Sequence, residues 1–336
     1  MSRVLLTGAT GFLGSALISD LLSESCMIKA FVRQPSEALP LAVEQVVVGD
    51  FSEFILGNST AVFKDAFHGV DVVIHAAARA HVINDYSSDP LAEFRKVNRD
   101  ATLILARLAA ESCVKRFVFL SSIGVNGNNS KKPFSENDLP EPHDLYAISK
   151  YEAEQGLLDL AKETGMEMVI IRPPLVYGPN APGNFGSLVK WMGRSVPLPF
   201  GAIHNQRSLV ALDNLVSFIR LCADREKTLL AANQVFLISD GEDVSTTQLL
   251  RKVGQALNLQ SPLGIKAWLV PIPVSIMTFF AKLLGKGDVA NRLFGSLQVD
   301  SSKARDLLGW EPVITMDEQL AKMAKARVRD LKPGLA

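Results

Sequence analysis

Apolar residues in the first half of the chain come in short continuous runs, each followed by a stretch where they recur every three or four positions. Arg3–Thr7 (RVLLT) is the first run, and Phe12–Leu22 behind it has the spacing of an amphipathic helix. Further Val/Ile-rich runs lie at Ile28–Val32, Gln45–Val48, Val70–His75, Arg116–Leu120 and Glu167–Arg172. Helical spacing falls near Ser59–Phe67, at Leu91–Glu111 and from Asp144 onward. A strand with no polar alternation must be covered on both faces, and helices between such strands supply that cover. The pattern predicts a doubly wound α/β fold, whose ligands sit beyond the C-terminal ends of the strands.

After Arg172 the alternation loosens. Pro173, Pro174, Pro179, Pro182, Pro197 and Pro199 punctuate loops, and helical spacing returns at Asn214–Ala223 and Thr246–Leu257. This predicts a dinucleotide-type domain over 1–172 and a smaller α/β lobe over 173–336 that closes on it, with substrate in the cleft. Composition narrows the function classes. The 336 residues carry 35 basic and 35 acidic side chains, 48% are hydrophobic and 21% charged, a balance unlike that of a cationic nucleic-acid binder. Cys26, Cys113 and Cys222 are widely separated and match no metal spacing, so no metal is expected. Trp268–Leu284 (WLVPIPVSIMTFFAKLL) is apolar enough to suggest a membrane, but Pro271, Pro273 and Lys282 interrupt it, and it reads as a packed helix or subunit contact. The chain begins without a signal-peptide layout, which predicts a soluble, cytoplasmic protein without stable membrane insertion.

Two motifs carry the chemistry. TGATGFLG places Gly8, Gly11 and Gly14 between the first strand and its helix, with Phe12 and Leu13 opening that helix. Such a turn lets a pyrophosphate approach the helix N-terminal amides; the plain alternative is a tight strand–helix turn without a ligand. YAISK places Tyr146 and Lys150 four residues apart on one helical face. An ammonium beside a phenol would favour the phenolate, so Tyr146 could take a proton from a hydroxyl or return one to a ketone. The strand Arg116–Leu120 ends in Ser121 and Ser122, at the sheet edge where a cofactor would lie. Ser121 alone reads as a strand-end hydroxyl bonded to backbone.

The GxxGxxG spacing with Tyr and Lys further on resembles the extended short-chain dehydrogenases/reductases, the NAD-dependent epimerase/dehydratase group of nucleotide-sugar enzymes. The resemblance implies a Rossmann-type sheet with a smaller C-terminal substrate lobe. It makes Ser122 the hydroxyl that holds the reacting oxygen, from the match of Ser121–Gly127 to the family's SSxxVYG segment, and gives Lys150 the nicotinamide ribose as well. It assigns Asp50 to the adenine amino group, Ala76 and Ala77 in VIHAAA to the adenosine wall, and Asn98 in KVNRDAT to support of the site. On the substrate side it points to Asn184 and Arg207 for the diphosphate and to Phe200 in PLPFG for the uracil ring, with Asp213 as a helix cap. VDSSKARDLLGWEP (Val299–Pro312) is similar to the family's C-terminal signature. Two positions depart. Asn126 replaces the tyrosine of SSxxVYG, and Ile123-Gly124 stand where 4,6-dehydratases carry an acid pair, so the resemblance does not extend to a dehydratase. Leu175 replaces a sugar-contacting asparagine.

The second strand ends on Arg33, 19 positions after Gly14, where NAD enzymes of this kind place a carboxylate for the ribose 2′-hydroxyl. An arginine attracts a 2′-phosphate, which predicts NADP in preference to NAD. A reductase consumes reduced cofactor at each turnover, whereas a 4-epimerase returns its hydride. The expectation is therefore an NADPH-dependent reductase acting at C4 of a UDP-4-keto-6-deoxy-N-acetylhexosamine in surface polysaccharide synthesis. The alternative is a UDP-hexose 4-epimerase with tightly bound NAD. A non-catalytic dinucleotide sensor and a small-ketone or steroid reductase are further readings, and the helices Leu91–Glu111 and Leu145–Glu163 suggest a homodimer by analogy.

Overall fold

The computed structural model describes residues 2–50, 65–80, 87–192, 197–257, 269–283 and 293–331. β1 (Arg3–Thr7) is followed by α1 (Phe12–Ser23), β2 (Met27–Val32), β3 (Val43–Val47) and β4 (Val72–His75). Then come α2 (Pro90–Arg95), a π-helical turn (Lys96–Asp100), α3 (Ala101–Glu111), β5 (Arg116–Leu120), α4 (Leu145–Thr164) and β6 (Glu167–Arg172). The chain continues through β7 (Leu175–Tyr177), α5 (Gly183–Met192), β8 (Arg207–Ala211), α6 (Leu212–Ala223), β9 (Gln234–Leu237) and β10 (Asp243–Val244). It ends with α7 (Thr246–Ala256), α8 (Val274–Leu283), α9 (Ser302–Leu308) and α10 (Met316–Leu331).

Seven parallel strands form one sheet in the order β3-β2-β1-β4-β5-β6-β9. The order reverses at β1, and the crevice between β1 and β4 is where a doubly wound sheet binds its ligand. Strands β4 and β5 are buried at every position, as their unbroken apolar runs require. Val4, Leu6, Leu17 and Ile18 pack with α6 on one face; Leu5, Val73, Phe117 and Leu157 pack with α3 and α4 on the other. A second sheet, β10-β8-β7, faces its own core of Tyr177, Phe185, Leu209 and Leu250.

Six of the seven strands of the large sheet match the runs read from the sequence to within three residues; β9 (Gln234–Leu237), which pairs with β6, and the strands of the second sheet are not among those runs. The helical stretch near Ser59–Phe67 falls largely outside the described residues. Leu91–Glu111 is not one helix: the π turn breaks it, adding the one residue that swings Asn98 into the interior, where it is fully buried. Within the apolar stretch read as Trp268–Leu284, Val274–Leu283 forms α8, and among the described residues no helix is long and apolar enough to cross a membrane.

One buried cation joins the sheet to its covering layer. Arg116, with no exposed surface, donates to Glu167 on β6 (2.9 Å), to the Cys222 carbonyl (2.7 Å) and to both oxygens of Thr228 (2.7 and 2.8 Å). Removing the guanidinium leaves three buried acceptors without it and takes from Glu167 one of its two arginine partners, the other being Arg225 at 2.7 Å. Arg116→Ala is expected to lose about 3–5 kcal/mol of unfolding free energy in a urea titration; a loss under about 1 kcal/mol would show that the pair contributes little.

Candidate active site

Strand β1 meets α1 through a turn with no room for side chains. Gly8 has φ +74°, and its amide neighbourhood is so close to the next strand that a Cβ there would lie 2.8 Å from the Ala77 nitrogen. A Cβ on Gly14 would sit 2.1 Å from the Gly8 carbonyl oxygen. Gly11 is the cap residue of α1, has an extended backbone and supplies no capping side chain, so the first amides of the helix face outward. Phe12 and Leu13, half-buried, begin the helix. This cradle fits a pyrophosphate: a dipole end, uncapped amides and glycines that admit close approach. Ala76 and Ala77 form its wall at the end of β4, with the Ala77 amide donating to Thr7 Oγ1 at 3.2 Å.

Arg33 follows directly on β2 and is exposed. With Thr10, Val32, Gln34, Pro35 and Ser36 it lines an open groove of about 450 Å³ beside the glycine turn. Gln45 on β3 holds the far side of that loop through two hydrogen bonds with Ser36 (2.9 and 3.0 Å). Asp50 lies exposed just beyond β3.

The candidate acid–base residues lie beyond β5. Asp144 caps α4 by accepting from the Ala147 amide at 2.7 Å, which sets Tyr146 and Lys150 in its first two turns. Ser122 caps the 3-10 turn Ile123–Val125, its Oγ accepting from the Gly124 amide at 3.1 Å. A Cβ on Gly124 would lie 3.3 Å from both Ser122 Oγ and Ala147 Cβ, so the serine oxygen and the start of α4 converge on one point. The Ser122 hydroxyl keeps its proton for another acceptor, because this bond uses only a lone pair.

The electrostatics differ from the sequence expectation. Burial, reinforced by the Asp144 carboxylate, holds the Tyr146 phenol above its ordinary value rather than below it. Lys150 is fully buried and donates to the Leu120 carbonyl at 2.7 Å, with its nitrogen 4.2 Å from the centre of the Phe119 ring. Burial pushes its pKa down to about 7, against the opposing pull of the Glu154 carboxylate. A cation brought against the phenol would act in the direction Lys150 alone does not achieve here.

Behind these residues lies a support that sequence reading only partly found. Asn98 accepts from the Arg79 amide (2.8 Å), donates to the Arg79 carbonyl (3.1 Å) and donates to Ser149 Oγ (3.0 Å). It therefore ties the loop after β4 to the helix of Tyr146. His75, the polar end of an apolar strand, bridges Thr7 Oγ1 (2.7 Å) and Thr102 Oγ1 (2.9 Å); burial and the Lys150 charge keep it neutral. Ser121 does not bond to backbone through its side chain, as expected from its strand-end position, but donates to Glu154.

The proposed substrate contacts lie in the second sheet and its loops. Arg207 on β8 donates to the Gly295 carbonyl at 2.9 Å, and burial lowers its pKa. Phe200 packs against Phe294 with ring centres 6.5 Å apart, and its carbonyl accepts from Thr247 at 2.6 Å. Asn184 lies in α5, and its side chain is outside the described residues. Asp213 is not the cap of α6, which begins at Leu212; it binds Lys322 of α10 at 2.5 Å instead. The Val299–Pro312 signature is structural: Val299 N donates to Ser208 Oγ (2.8 Å), Lys303 donates to the Val235 carbonyl (2.8 Å), and buried Trp310 meets Phe218 edge-on at 5.1 Å.

Residues 4–235 match the model of the NAD dependent epimerase/dehydratase family. The chain belongs to that family. Over 328 residues it is 43% identical to a UDP-glucose 4-epimerase of Vibrio cholerae, covering 96% of this chain and 94% of that one. Among solved structures it resembles the UDP-glucose 4-epimerase of Thermotoga maritima with UDP-glucose (TM-score 0.75, 24% identity, 98% and 100% of the two chains covered). It also resembles the Bordetella bronchiseptica enzyme WbmG with NAD and UDP (TM-score 0.74, 20% identity, 98% and 95% covered). These solved structures share the fold, and the family membership makes this chain an NAD-dependent enzyme of the extended short-chain type.

The Lys150 shift gives a test that needs no substrate. Its pKa falls from an ordinary 10.5 to about 7 on folding, so between these values the unfolded chain holds the extra proton. The lysine's contribution to stability therefore rises with pH through that window and falls as pH drops toward 7. Relative to Lys150→Met, the wild-type protein should gain stability from pH 7 to pH 10 in parallel denaturant titrations; a pH-independent difference would contradict the buried position.

Proposed function

We propose that the protein is a UDP-hexose 4-epimerase that retains NAD. The observation that carries this reading is the 43% identity to a UDP-glucose 4-epimerase across nearly the whole of both chains. The reading reverses the order of the two sequence-based expectations and prefers the epimerase to the reductase. When bound, the dinucleotide supplies acceptance and return of a hydride at C4.

In this reading Tyr146 removes the proton of the C4 hydroxyl and later returns it, and Ser122 donates a hydrogen bond to the same oxygen. Lys150, fixed by the Leu120 carbonyl, holds the ribose of the cofactor and supplies positive charge beside the phenol. The glycine turn holds the pyrophosphate, with Ala76, Ala77 and Asp50 around the adenosine and Asn98 keeping the wall in place. Arg207 takes the substrate diphosphate, Phe200 the uracil ring, and Asn184 a phosphate oxygen. In the same reading the sugar lies between the strand ends of the large sheet and the second sheet.

The second reading, an NADPH-dependent 4-keto reductase, draws on Arg33. It stands where a carboxylate would serve NAD and lines the groove next to the glycine turn. A dTDP-4-dehydro-6-deoxyglucose reductase of Escherichia coli, 22% identical over 341 residues, is also among the relatives.

Protein purified without added cofactor and then denatured should release near-stoichiometric NAD, detected by mass spectrometry, and should interconvert UDP-glucose and UDP-galactose. An empty site that takes NADPH far more tightly than NADH would overturn the epimerase in favour of the reductase. Tyr146→Phe should lower turnover by at least about 10²-fold while NAD is still released on denaturation.

A further inference from the structure

We propose that the buried Glu154–Arg172 ion pair, with Ser121 at one end and Asn126 at the other, positions Ser122 against the helix that carries Tyr146 and Lys150. The proposal rests on the assignment of those three residues as the reacting groups. Glu154 has no exposed surface and Arg172 is 4% exposed. Arg172 Nε donates to both Glu154 oxygens at 3.0 and 3.2 Å, and its Nη2 closes the fork. Ser121 donates to the same carboxylate from the residue immediately before Ser122. On the other side Arg172 Nη1 donates to Asn126 Oδ1 at 2.9 Å, and Asn126 Nδ2 donates to the Ser135 carbonyl at 3.1 Å.

The chain of bonds touches every element that presents a reacting group. Ser121 and Asn126 bracket the segment of Ser122. Glu154 lies one helical turn past Lys150 and two past Tyr146, on the same face of α4. Arg172 ends β6, whose backbone grips the Ser122 segment on both sides: the Ser121 amide donates to Ile171 (2.8 Å) and the Ile123 amide to Pro173 (3.0 Å). Asn126 is also where this chain departs from the tyrosine of the family segment, and its side-chain oxygen gives Nη1 of Arg172 an acceptor outside the fork on Glu154. A buried ion pair adds little net stability over an apolar pair of similar volume. Four hydrogen-bonded side chains that join the Ser122 segment to the helix of Tyr146 are better explained by geometry, since a misplacement of about 1 Å can cost about 10²-fold in rate.

Glu154 has a second effect. Lys150 faces Glu154 along its own helix, neutral His75 from β4, and the Leu120 carbonyl and Phe119 ring from β5. The carboxylate is the one of these that favours the ammonium by its charge.

The test is the double variant Glu154→Leu/Arg172→Met, which removes both charges together and leaves neither stranded. The expected result is a folded protein that still carries its dinucleotide, with kcat for UDP-glucose lowered by about 10²-fold and KM within about threefold. In the same background the Lys150 titration, read as the pH dependence of stability against a triple variant with Lys150→Met, should move to lower pH. Wild-type kcat in the folded double variant would overturn the proposal, and an unmoved Lys150 titration would overturn the effect of Glu154 on Lys150. If the double variant does not fold, Asn126→Ala decides, because it cuts the far end and keeps the ion pair: lowered kcat at constant KM supports the proposal, and unchanged kcat overturns it. Absence of turnover in the wild-type protein would count against the function reading alone, and a crystal structure of the double variant would still decide this one: Ser122 Oγ displaced from the Gly124 amide and the start of α4 supports it, and an unmoved Ser122 overturns it.

Discussion

The closeness of β1 to α1 governs the nucleotide half of the molecule. With the Gly8 carbonyl only 2.1 Å from where a Gly14 Cβ would stand, the helix starts directly off the strand and directs its first amides beyond the sheet edge. The same turn leans on Ala76 and Ala77, so the end of β4 is drawn against it. Crevice, cradle and wall follow from one contact between backbones, which any side chain would prevent.

The acid–base side is built on the opposite principle. There the residues proposed to react are set not by the lack of side chains but by a dense layer of them: Asp144 at the helix start, Asn98 in the π turn, and the Glu154–Arg172 pair bonded to the neighbours of Ser122. Desolvation is the common consequence. It lifts the phenol, lowers the ammonium and keeps His75 neutral, so the site holds few standing charges until a ligand brings its own. A site of this kind responds strongly to a cationic nicotinamide or an anionic oxygen, because neither is screened by water.

The second sheet reaches back to the first through polar side chains as well as apolar packing. Tyr177 of β7 donates to Asp240 at 2.7 Å, Asp240 accepts from the Ala211 amide and from Asn214, and Asn214 holds the backbone of Val313 and Ile314. The segment directly after the C-terminal signature is thus fastened to α6 and, through Asp240, to β7 of the second sheet.

The sequence alone determined the middle of the sheet, because strands such as β4 and β5 are buried on both faces and must be written as unbroken apolar runs, whereas the edge strand β9 joined it only through the tertiary structure. It also determined the glycine turn and the Tyr146–Lys150 pair, because each depends on spacing within a single element. Only the tertiary structure decided what meets across elements. The partner of Ser121 is a carboxylate 33 residues away on α4 rather than local backbone, and Asn126 serves an arginine 46 residues away. A continuous helical pattern hid the π turn, since one inserted residue leaves the apolar spacing nearly intact while rotating Asn98 inward. The charge states likewise lay beyond the sequence: Tyr146 and Lys150 suggest a phenol eased by its neighbour, but burial, which belongs to the fold and not to the motif, sets both values.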